Sequence, residues 1–60
     1  MNKDQLKAYC IEQIKKHPEH RSAICDIFFL AKNEIEGGSS ETHEVQLAME
    51  DIDHIVKGEE

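Results

Sequence analysis

The chain has 60 residues, with 13 Asp and Glu against 7 Lys and Arg for a formal charge of −6, and only 38% of it is hydrophobic. A domain of this length buries only about 60% of its unfolded surface, so one thin core is expected. The acidic balance excludes tracking of a nucleic-acid backbone, which needs clustered cations, and no apolar run reaches the roughly 18 residues of a membrane span.

The first helix is expected near residues 3–16. Leu6, Cys10 and Ile14 recur every four residues, flanked by Tyr9 and Ile11, and Lys15, Lys16 and His17 suit a helix C-terminus. Pro18 and Glu19 favour the start of the next helix, near 18–36. Its stripe is Ile24, Ile27, Phe28, Ala31 and Ile35. Gly37-Gly38-Ser39-Ser40 ends it, glycine by adopting the left-handed conformation and serine by capping the next helix. A third helix near 40–57 carries Val45, Ala48, Met49, Ile52, Ile55 and Val56, with Gly58 after it. No stretch alternates with period two. Short connections set successive helices side by side, so the fold expected is all-α: a single-domain, three-helix antiparallel bundle whose stripes form the core.

Four apolar residues of the second and third helices fall outside those stripes. At about 100° per residue, Phe29 points opposite the second stripe and Leu47 points away from the third. Ala23 and Leu30, one heptad apart, widen the apolar arc of the second helix. Either Phe29 folds over an edge half-exposed, as surface apolar residues commonly do, or a second copy covers Phe29, Leu30 and Leu47. Thin cores are often completed by oligomerisation, and two-fold homodimers are the commonest oligomers. The expectation is a homodimer with those three residues at its interface.

Metal ligands are present in kind. Cys10, His17, His20 and Cys25 straddle the first turn, with His43 and His54 further on. The spacing matches no structural zinc pattern, and Cys10 belongs to an apolar stripe, so no metal and no cofactor are expected. Asp51 and His54 share a helix side and form an acid–base pair in kind, but three short helices offer little concave volume for a substrate. No phosphate loop, calcium loop or nucleophile elbow occurs, and no catalytic residues are assigned. The third helix carries Glu41, Glu44, Glu50, Asp51 and Asp53 with Lys57 as its only Lys or Arg. It would meet phosphate repulsion in a DNA groove, so no direct DNA binding is expected. The acidic face is either a solvated surface or a decoy whose carboxylates stand where phosphates lie in a partner's basic cleft. Clustered histidines can form a pH switch, but nothing in the spacing of these four makes them converge. Two cysteines are too few for a disulfide framework and no basic-then-apolar signal opens the chain, so the expected setting is the cytosol, with no membrane contact and reduced thiols.

The stretch from His20 to Lys32 (HRSAICDIFFLAK), then Glu34–Ser40 (EIEGGSS) and His43-Glu44, resembles the small accessory proteins of lambda-like bacteriophages encoded in the early region between the exonuclease and excisionase genes. The resemblance implies a short, helical, dimeric protein of an infected bacterium. It also implies influence on host physiology and the lysis–lysogeny choice through protein contacts. No catalytic or ligand residue carries over from it. The function expected is therefore a non-enzymatic protein-interaction module. The alternative is an acidic inhibitor occupying a basic cleft on a host enzyme.

Overall fold

The structure, a computed structural model, describes residues 2–58. Helix α1 (Lys3–Lys16) opens on a capping box. The Asn2 side chain accepts the Gln5 N–H at 2.9 Å, and the Gln5 side-chain oxygen accepts the Asn2 N–H at 3.0 Å. Two otherwise orphaned donors are satisfied reciprocally. A third, the Lys3 N–H, donates to the Glu41 carboxylate at 2.7 Å, from a residue 38 positions along the chain. At the other end Lys15 and Lys16 face the partial negative charge of the last turn.

The second helix departs from the sequence expectation of a start at residue 18. Pro18–His20 forms a single 3₁₀ turn, and α2 runs Arg21–Glu36. His17 provides no side-chain cap. The first N–H groups are therefore met by tighter backbone bonds, His20 to His17 at 2.9 Å and Arg21 to Pro18, which is the 3₁₀ solution to an uncapped start.

Glycine closes α2 as the sequence indicates. The Gly38 N–H donates to the Ile35 carbonyl and the Ser39 N–H to the Glu34 carbonyl, both at 3.0 Å, with Gly38 at φ +112°. That is the Schellman arrangement, which satisfies two carbonyls the helix leaves free. Ser40 then caps α3 (Glu41–Val56), its hydroxyl accepting the His43 N–H at 3.3 Å.

The three helices form an all-α bundle with no strand among the described residues. Its Cα radius of gyration is 10.9 Å, close to the roughly 10 Å of a compact chain of this length. Leu6, Ile24, Val45 and Ile52 are sealed at its centre, with Cys10, Ala31 and Ala48 almost as deep. Tyr9, Ile14, Ile27, Phe28, Ile35, Met49 and Val56 pack around them. Ile55, expected in the core, is half-buried and outside this cluster.

A second polar link, besides that from Lys3 to Glu41, joins α1 to α3. The Tyr9 hydroxyl donates to Asp53 Oδ1. Burial of the phenol, reinforced by that hydrogen bond and by the Asp53 charge, pushes the Tyr9 pKa up to about 12. No helix among the described residues is long and apolar enough to cross a membrane.

Candidate functional site

The seam between α2 and α3 opens outward as a groove. Its floor is Ala31 and Ala48, each buried at the face where the helices meet. Two methyl groups leave a depression where larger side chains would have filled it. Ile27, Leu30 and Leu47 form its walls. Leu30 is 65% exposed and Leu47 42% exposed, although both belong to a side-chain class that small domains bury when they can.

Carboxylates edge the groove: Glu34 from α2, Glu44 and Asp51 from α3. Their places follow from helical spacing. Glu34 lies four residues after Leu30, while Glu44 and Asp51 lie three before and four after Leu47, so each shares a helix side with its leucine. No lysine or arginine among the described residues pairs with any of the three. The lysines held in ion pairs are elsewhere, Lys16 with Glu12 at 3.3 Å and Lys32 with Glu36 at 3.6 Å. The depression is about 150 Å³, below the roughly 300 Å³ at which small-molecule sites begin. It fits inserted side chains better than a whole substrate.

The structure brings together two of the three residues singled out from sequence. Leu30 and Leu47 share the groove, whereas Phe29 lies outside it, 55% exposed on the outer side of α2. Its ring meets Phe28 edge-on, with centroids 5.7 Å apart and planes at 65°. Ile11, which flanks the first stripe in the sequence, is 46% exposed. At about 100° per residue it falls well off the line of Leu6, Cys10 and Ile14, a signal available from the wheel. Sequence reasoning passes over the grouping of Glu34, Glu44 and Asp51, which their spacing from the leucines carries.

The remaining candidates have structural surroundings. Cys10 is buried on α1, and burial, with a smaller contribution from Cys25, pushes its thiol up to about 11. Such a thiol is a poor nucleophile near neutrality. His17 and His20 flank Glu19, at 3.8 and 3.7 Å from its carboxylate. No group of three metal-ligating side chains among the described residues is placed to hold an ion. Asp51 lines the groove, while His54 borders a separate, open recess of about 330 Å³ lined by the polar side chains of Glu50, Asp53 and Lys57.

Fold and site together define a class: a small three-helix bundle whose second and third helices present an apolar groove edged by carboxylates. No protein-family model, curated protein or solved structure matches the chain.

Proposed function

We propose that this protein is a non-enzymatic interaction module that binds another polypeptide through the α2–α3 groove. The observation that carries the reading is the exposure of Leu30 and Leu47 side by side in a depression sized for side chains. Apolar anchors seated in pockets contribute most of the free energy of protein association. Self-association belongs to the same proposal, with Phe29 as the apolar contact for a second copy. It is supported by how little of the chain is buried, seven core side chains among the described residues. The resemblance of residues 20–44 to lambda-like phage accessory proteins supports a bacteriophage setting. There the contacts would act in the cytoplasm of an infected cell, on host physiology or the lysis–lysogeny choice.

A photo-crosslinking residue at Leu47, compared with one at exposed Lys15 on α1, tests the groove in a bacterial lysate. Adducts to a second polypeptide at position 47, absent at position 15 and suppressed by excess unlabelled protein, are expected. Equal labelling at the two positions, or none at 47, refutes the reading. Sedimentation velocity over a concentration series, for wild type and Phe29→Asp, tests self-association. A wild type that stays monomeric at millimolar concentration refutes that part.

A second reading is an acidic inhibitor seated in a partner's basic cleft, and the clustering of Glu34, Glu44 and Asp51 favours it. It requires binding that collapses with salt yet survives Leu47→Ala.

A further inference from the structure

We infer that the occupant of the α2–α3 groove is a basic amphipathic helix: a partner segment with apolar residues along one side and Lys or Arg beside them. This rests on the reading of the groove as an interaction site and adds the chemistry of what fills it. The apolar strip on α2 runs from Ile27 to Ala31 and ends at Glu34. That apolar stretch rises about 6 Å, a little over one turn. A partner helix laid along the seam therefore offers apolar anchors at spacings of three and four residues, the usual reading of a helix in a groove.

Charge decides what flanks those anchors. Glu34, Glu44 and Asp51 all stand at the edge, no lysine or arginine among the described residues answers them, and the whole chain carries −6. A partner with cations beside its apolar strip neutralises all three. A second copy of this chain, laid groove to groove, would instead bring three more carboxylates against the first three, and like charges facing across an interface oppose association. The groove is thus fitted to a different polypeptide, which leaves Phe29, on another side of α2, for any contact between copies. A wholly basic, unstructured segment satisfies the carboxylates but leaves Leu30 and Leu47 in water, so the apolar strip is needed as well.

The test uses three synthetic fluorescent peptides of equal length. The first is helical, with leucines at the anchor positions and lysines flanking them. The second keeps the leucines and replaces the flanking lysines with glutamates. The third is a scrambled isomer of the first, with the same charge and no apolar side. Binding to the full chain is followed by fluorescence anisotropy at low and physiological salt, and the site by amide shifts in NMR spectra. The lysine-flanked peptide is expected to bind more than tenfold tighter than either control and to shift the amides around Leu30 and Leu47. The protein variant E34Q/E44Q/D51N, checked for helicity, is expected to lose about tenfold in affinity and most of the salt dependence, since each exposed ion pair contributes up to a few-fold.

Equal binding of the lysine- and glutamate-flanked peptides overturns the inference, and so does absence of binding at millimolar peptide. If the scrambled isomer binds as well as the first peptide, attraction is charge alone and the acidic-inhibitor reading replaces it. Crosslinking at Leu47 separates the two levels. Adducts there together with equal peptide affinities refute only the basic occupant, whereas absence of adducts refutes the interaction site itself.

Discussion

Ile52→Ala set against Leu30→Ala separates what holds the bundle together from what the bundle presents. Ile52 is fully sealed, with no exposed surface. Removing three of its carbons forfeits about 0.8 kcal/mol each, about 2.4 in all, and the cavity left behind brings such changes into a range of about 2–5 kcal/mol. For a chain of 60 residues, total stability is of the order of 3–9 kcal/mol. The substitution therefore removes a large share of it. Leu30 is 65% exposed, so truncation forfeits only the smaller, buried part of a leucine's roughly 2 kcal/mol, less than about 1 kcal/mol. Urea unfolding followed by helix circular dichroism reads both. At a slope of about 1 kcal/mol per molar, Ile52→Ala lowers the midpoint by about 2 M or more, and Leu30→Ala by under 1 M. Both are measured at micromolar and at hundred-micromolar protein, because self-association adds stability as concentration rises. Two results refute the reasoning: Leu30→Ala costing as much as Ile52→Ala at the lowest concentration, or Ile52→Ala unfolding within 0.5 M of wild type.

Other substitutions probe the links between helices. Tyr9→Phe, which removes the donor to Asp53, costs about 1.5 kcal/mol at pH 7, the low end of the range for hydrogen bonds to charged groups because Tyr9 is only half-buried. The folded-state pKa of Tyr9, about 12, lies above its ordinary 10.0. Its stabilisation is therefore complete below pH 10 and declines as pH rises through 12, so the difference in urea midpoint between wild type and Tyr9→Phe should shrink over that window. The Cys10 thiol, raised to about 11 from 9.0, should react with a thiol reagent at pH 8 about a hundredfold more slowly than an unperturbed cysteine. Equal rates for Cys10 and Cys25 by peptide mapping contradict this. At the turn after α2, Gly38→Ala meets open space but stands at φ +112°, so backbone strain alone costs about 1–3 kcal/mol. Gly37 lies at φ −84°, and Gly37→Ala should leave the melting temperature level or slightly raised.

The bundle is legible in the sequence because its punctuation is local. Gly37-Gly38 and Ser40 act within a few residues of where they stand, and the carbonyls and N–H groups they satisfy belong to the adjoining turns. Leu6, Ile24, Val45 and Ile52 fall on stripes because helical spacing decides which side a residue occupies before any partner is known. The start of α2 is misplaced from sequence because Pro18 fits the first turn of a 3₁₀ or an α-helix equally well, and only the missing cap at His17 chooses between them. Leu30 and Leu47 stand out singly as residues beyond the stripes. Their meeting in one groove depends on the register of α2 against α3, which the Gly37–Ser40 connection sets and a wheel of either helix alone does not carry. Phe29 joins them only by its apolar character, although its angle on α2 already sets it apart.

The hydrogen bond from the Lys3 N–H to Glu41 bears on the order in which the chain acquires its shape during synthesis. α1 leaves the ribosome before α3, yet one of the groups that completes its N-terminus is translated 38 residues later, and Asp53, which receives the Tyr9 hydroxyl, later still. The nascent first helix is then a fraying segment awaiting its closing partners, and the bundle locks only when α3 has emerged. Hydrogen exchange on stalled nascent chains would show it: protection at the start of α1 should appear together with α3.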